Sequence, residues 1–150
     1  YVAATHFEAT SARSAFPCWD EPALKAQFDI AIRHHTNYTA LSNMPVDRVE
    51  HGPNGEAWTF FQTTPPMSSY LVAFAVIPYD YHTDDDLNVT TWVPEEKLRE
   101  ARVSFEISRL IPAAMERYTG IPYDLPKMDH VILPKYGSEA IENWGLILYS

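Results

Sequence analysis

Two segments of this chain gather residue types that could do chemistry. The first runs Ala4-Thr5-His6-Phe7-Glu8 and is followed by Arg13-Ser14-Ala15-Phe16-Pro17-Cys18-Trp19-Asp20-Glu21-Pro22. The second is Tyr136-Gly137-Ser138-Glu139-Ala140-Ile141-Glu142-Asn143-Trp144-Gly145-Leu146. Both set carboxylates beside glycine, proline and aromatic residues in stretches expected to be loops, where sites are commonly built. Taken alone, Glu8 and Glu142 read as solvated loop acids before they read as a site. No complete catalytic set accompanies them: the chain has no His-Glu-x-x-His, no Gly-x-Ser-x-Gly and no phosphate-binding loop.

The other titratable residues point to structure. His6, His34, His35, His51, His82 and His130 are scattered, without a second histidine or carboxylate at metal-ligand spacing on a helix. Cys18 is the only cysteine, which rules out an internal disulfide, and its apolar setting predicts a buried, inert thiol. Arg13, Asp20 and Glu21 suit a turn or an ion pair, and Phe16, Trp19 and Trp144 are expected in a core.

A net charge of -9, spread through Asp84-Asp85-Asp86, Glu95-Glu96 and Glu139 to Glu142, argues against nucleic-acid binding through a basic surface. Asn37-Tyr38-Thr39 and Asn88-Val89-Thr90 are glycosylation triplets, so Asn37 and Asn88 would accept glycans in a secreted protein. The longest apolar stretch, Leu71 to Ile77, suits a buried strand and falls far short of the ~20 residues that span a bilayer. The chain opens on Tyr1-Val2-Ala3-Ala4 and closes on Leu148-Tyr149-Ser150, which reads as a piece of a longer protein.

The elements that must position these residues follow from periodicity. Phe28, Ile30 and Ile32 alternate as one face of a strand, and short runs recur at 38–41, 58–62 and 70–77. Turn signals separate them at Asn43-Met44-Pro45, Gly52-Pro53-Asn54-Gly55 and Pro65-Pro66, so an antiparallel sheet or sandwich is expected. After Pro78 the pattern changes. A strand over 88–93 leads through Pro94-Glu95-Glu96 into a long helix with a stripe of Leu98, Ala101, Phe105, Ser108, Ile111, Met115 and Tyr118; Pro112 should kink or split it and Gly120 should end it. Strands at 130–133 and 146–149, joined by a loop over 134–143, complete the reading.

The two chemistry-bearing segments resemble the aminopeptidase-N-type family of zinc aminopeptidases. That family carries Thr-Gln-x-Glu shortly before Phe-Pro-Cys-x-Asp-Glu-Pro, and Gly-Ala-Met-Glu-Asn-Trp-Gly later. Ala23-Leu24-Lys25-Ala26-Gln27-Phe28, Ser69-Tyr70-Leu71-Val72-Ala73-Phe74 and Gly120-Ile121-Pro122-Tyr123 with Leu125-Pro126-Lys127 are similar to its connecting segments, so the likeness spans the chain.

The resemblance implies an α+β fold in which residues 1–78 end an all-β amino-terminal domain and 79–150 open a thermolysin-like catalytic domain. It implies a parent that uses zinc, held by residues outside this chain, to remove single residues from peptide amino termini, at the surface of the cell. By itself the chain should neither bind that zinc nor cleave peptides. Glu8 and Glu142 correspond to the glutamates that hold the substrate's α-ammonium, with His6, Glu139, Ala140, Ile141 and Asn143 as neighbouring substrate contacts and no catalytic residue in the chain. A cis peptide is implied at Glu8-Ala9. Three departures stand out: His6 replaces glutamine, Glu139 replaces glycine and Ile141 replaces methionine. The glycine change brings bulk and charge where backbone approaches peptide. A receptor-like binding ectodomain that keeps the fold without the activity is therefore the alternative.

Overall fold

The computed structural model describes residues 1–134, 137 and 139–150; Lys135, Tyr136 and Ser138, all near the start of the second carboxylate segment, lie outside the described residues. Among the described residues are eleven strands and two α-helices, an α+β chain. It forms two compact units, Tyr1–Pro78 with Glu142–Leu146, and Tyr79–Ile141 with Ile147–Ser150.

In the first unit β1 (Ala3–Ala4), β6 (Phe74–Ile77) and β3 (Thr39–Ser42) make one sheet in the order β1-β6-β3, antiparallel throughout, with Ala4 opposite Ala75 and Leu41 opposite Ala75. A second antiparallel sheet has the order β2-β5-β4, from β2 (Ala31–His35), β4 (Val46–His51) and β5 (Glu56–Phe61). The expected strand at 28–32 begins later: Phe28 and Ile30 bond to Thr64 and Phe61 ahead of the regular ladder. β4 escaped sequence reading because it is a sheet edge with every residue exposed, so selection for alternating apolar residues is absent there. Phe7, Ala12, Met67 and Val72 form a buried core cluster against which Phe16, Cys18, Phe28, Ile30, Leu71 and Phe74 pack.

In the second unit β7 (Asp80–Asp84) pairs antiparallel with β8 (Val89–Val93), and β8 pairs in parallel with β9 (Met128–Ile132). Parallel neighbours need a long crossover. Residues 94–127 supply it, and it carries α1 (Arg102–Ser108) and α2 (Ile111–Thr119). The five-stranded sheet has the order β10-β11-β9-β8-β7, where β10 is Ala140–Asn143 and β11 is Leu146–Tyr149.

Pro112 splits the expected helix in two. Its ring cannot donate a hydrogen bond and is tolerated only in the first turn, so α2 starts there. Gly120 closes α2 in the left-handed region at φ 71, its N–H donating to Glu116 O at 2.8 Å. The apolar stripe holds only for the first half: Ala101, Phe105 and Ser108 are buried, whereas Ile111, Met115 and Tyr118 are exposed. The expected loop at 134–143 also needs correction, since its last four residues form β10. Among the described residues no helix is long and apolar enough to cross a membrane.

Candidate functional site

The segment that carries His6 and Glu8 continues from β1. The Thr5 amide donates to Phe74 O at 3.1 Å, and the Phe74 amide donates to the Thr5 hydroxyl at 3.0 Å. Extended backbone sends alternate side chains to opposite faces. Accordingly Thr5 and Phe7 are buried while His6 is exposed, and Glu8, which starts the turn that follows, is exposed as well. Phe7 anchors this stretch, meeting Phe16 and Phe74 edge-on at ring separations of 6.0 and 6.3 Å. The Glu8-Ala9 peptide is cis, as the sequence resemblance implied, and the chain then folds back so that the Ser11 amide donates to Phe7 O at 2.9 Å.

The neighbouring motif is a scaffold for that turn. The Arg13 amide and Nε both donate to Asp20 Oδ2, at 3.1 and 3.0 Å; Arg13 Nη2 donates to Asp20 O at 3.2 Å, and Ser69 Oγ donates to Asp20 Oδ1 at 3.1 Å. Burial opposes ionisation of Asp20, but the hydrogen bonds from Arg13 and Ser69 and the guanidinium charge outweigh it and hold the carboxyl below its ordinary 3.8. The Glu21 amide bonds to Trp19 O in a tight turn. Phe16 joins the core as expected, but Trp19 is 78% exposed and Trp144 38% exposed. Trp19 is exposed between half-buried Cys18 and buried Asp20, so its ring points away from the side that those two residues bury. Cys18 is only half-buried.

The second segment alternates in the same way. Along β10, Ala140 and Glu142 are exposed, and Ile141 and Asn143 are buried. The side chains of Ile141 and Asn143, expected as substrate contacts, therefore turn inward. Glu139 is exposed and its carbonyl accepts from the Ser150 amide at 3.1 Å. Trp144 and Gly145 make a two-residue turn into β11, with Gly145 at φ 72. Asn43, 1% exposed, donates from Nδ2 to Trp144 O and to Leu71 O, both at 2.8 Å, and accepts from the Ala73 amide at 2.9 Å. Sequence reading saw in Asn43-Met44-Pro45 only a turn; the signal it passed over was an asparagine beside apolar strand residues, which must find partners if buried. Glu8 and Glu142 thus belong to one compact unit and are both exposed, Glu8 directly after buried Phe7 and Glu142 between buried Ile141 and Asn143.

Two family models match this chain: the peptidase M1 N-terminal domain over residues 1–71 and the peptidase family M1 domain over residues 103–150. The chain belongs to peptidase family M1. It is 42% identical over 151 residues to glutamyl aminopeptidase of Bos taurus, covering 99% of this chain and 16% of that protein. It is 41% identical over 154 residues to aminopeptidase Q of Acinonyx jubatus, covering 97% of this chain and 16% of that protein. A third relative, aminopeptidase A of Gloydius brevicauda, is 37% identical over 152 residues, covering 99% and 16% respectively. The chain thus spans 16% of the length of these curated relatives.

No group of three or more His, Cys, Asp or Glu side chains among the described residues of this M1 chain could hold a metal ion. The buried Lys127, Asp129 and His130 side chains have structural partners. Lys127 Nζ donates to Asp129 Oδ2 at 2.6 Å, and Trp92 Nε1 donates to Asp129 Oδ1 at 3.2 Å; burial pulls the Lys127 ammonium below its ordinary range against the attraction of Asp129. His130 is buried beside Tyr149, with Nδ1 and the phenol oxygen 3.0 Å apart, and burial lowers its basicity. Both sequons lie on exposed turns, Asn37 between β2 and β3 and Asn88, at φ 52, between β7 and β8.

Proposed function

We propose that the parent protein is a zinc-dependent aminopeptidase that removes single residues from the amino termini of peptides, and that this chain supplies recognition of the substrate's α-amine through Glu8 and Glu142. The observation that carries the reading is the exposure of both carboxylates within one compact unit. Both are exposed, Glu8 in the turn that follows buried Phe7 and Glu142 on β10 between buried Ile141 and Asn143, and both belong to the same compact unit of an M1 family chain. An exopeptidase must recognise a charged chain end, and charge-assisted hydrogen bonds from an ammonium to carboxylates are strong and directional. Anchoring that end decides which peptide bond reaches the reacting centre. His6, Glu139 and the backbone of Ala140, Ile141 and Asn143 would border the amine site.

Residues 1–78 then close the β-rich amino-terminal domain, and 79–150 open the catalytic domain. Zinc would be held by parts of the parent outside this chain, and when bound would supply Lewis-acid chemistry for peptide hydrolysis. The exposed sequons support an extracellular, cell-surface location with glycans at Asn37 and Asn88.

The test is made in the full-length protein by comparing peptides with free and acetylated amino termini. Glu8→Gln and Glu142→Gln should each raise KM for free-amine substrates and weaken free-amine inhibitors, with folding nearly unchanged. Equal affinity of the unmutated protein for free and acetylated peptides would refute the amine site. The alternative, a binding ectodomain, would then stand, and the motives for it are Glu139 in the place of a glycine and His6 in the place of a glutamine.

A further inference from the structure

We propose that Asn43 is a positioning residue for Glu142: its buried amide holds the central peptide of the turn that follows Glu142 in one orientation. The proposal rests on the reading of Glu142 as an amine ligand. Among the described non-glycine residues only Asn54 and Asn88 have positive φ, so Trp144 has negative φ and Gly145, at 72, has positive φ. That combination excludes both primed turns, which require positive φ at the first central residue. Two-residue hairpins ordinarily use the primed turns, because these match the twist of the flanking strands. The Trp144-Gly145 peptide plane therefore sits in an orientation that the hairpin alone does not favour.

Asn43 supplies the missing preference. Its Nδ2 donates to the carbonyl of that same peptide, Trp144 O, at 2.8 Å, across 101 positions of sequence. The other Nδ2 proton goes to Leu71 O and the Oδ1 accepts from Ala73, so the amide cannot rotate to release Trp144 without breaking bonds to two more backbone groups. The next side chain, Ser42, is fully buried and donates to Ala73 O at 2.8 Å, which fixes the same stretch. All these residues lie in the first unit. Asn143, one residue before the turn, is buried with no partner for Nδ2 among the described residues, so its own side chain does not set the turn. Relaxing to a primed turn would require positive φ at Trp144, a rotation at the residue that joins the turn to β10, and so would re-aim the strand end that carries Glu142.

The experiment uses the full-length protein and free-amine substrates, with activity referred to titrated active sites. Asn43→Ala should raise KM about fivefold to tenfold, the factor expected from one net hydrogen bond, with kcat per active site within about twofold. Discrimination between free and acetylated competitors should fall by the same factor. Combined with Glu142→Gln, it should add little further, since both changes act on one contact. Activity lost only in proportion to the folded fraction, with KM unchanged, would overturn the proposal, as would additivity with Glu142→Gln. If Asn43→Ala does not accumulate, Gly145→Ala disturbs the same turn through its positive φ while keeping Asn43; a similar rise in KM supports the proposal and an unchanged KM overturns it. A Glu142→Gln protein with unchanged KM would refute the amine reading itself, whereas a raised KM there with an unchanged KM in Asn43→Ala refutes the positioning role alone.

Discussion

Phe7→Ala should release the segment that presents His6 and Glu8. Phe7 is 7% exposed, packs with Ala12, Met67 and Val72, and makes edge contacts to Phe16 and Phe74. Truncating a buried phenylalanine costs about 3–5 kcal/mol through lost transfer energy and the cavity left behind. Loss of the two ring contacts belongs to the upper part of that range, since each aromatic pair contributes about 0.5–1.5 kcal/mol beyond its area. The element most directly affected is the pairing of Thr5 with Phe74, which holds the approach to Glu8. Native-state hydrogen exchange in the full-length protein reads this locally: the Thr5 and Ser11 amides should exchange roughly 10²- to 10³-fold faster, because each 1.4 kcal/mol of opening free energy is about tenfold. Amides of β8, in the other unit, should be unaffected. Phe7→Leu, which keeps most of the volume, should show a much smaller change. An acceleration below about fivefold at Thr5 and Ser11 in Phe7→Ala would show that the aromatic cluster does not hold this segment, and the account of how Glu8 is presented would fail.

The Asp20 carboxyl titrates below its ordinary 3.8 in the folded protein, so its contribution to stability is complete above that value and is lost as pH falls through the lower folded pKa; an Asp20→Asn protein should show a shallower loss of thermal midpoint on acidification below pH 3.8, and parallel profiles for the two proteins would contradict the assignment. Gly120→Ala meets no steric neighbour, since nothing lies within 4 Å of the added carbon, but must hold φ 71; a cost of about 1 kcal/mol is expected in chemical denaturation, and a stabilised protein would show that α2 does not end in this cap. The purified 150-residue chain should carry no stoichiometric zinc and release no product from amino-acid anilides; metal analysis finding one tightly held zinc per chain would overturn the placement of the metal site outside these residues.

The sequence by itself determined what depends on local patterning and on contiguous motifs. Both carboxylate segments read as loops, and the extended backbone that turns His6 and Glu142 outward belongs to the structure. Pro112 and Gly120 settle where a helix must break and end, because one removes a donor and the other accepts a left-handed φ. The family likeness rested on such motifs, and the M1 models match the same stretches. What the sequence could not determine was which apolar residues find cover: Phe105 is buried and Met115 exposed on one periodic stripe, and Trp19 lies bare beside a buried Asp20. Edge strands such as β4 and β7 were equally silent, since exposed backbone pairing imposes no alternation. Only tertiary structure decided the partners of Asn43, because a side-chain amide becomes committed to particular carbonyls when burial removes water as the competitor, and Trp144 lies 101 residues away.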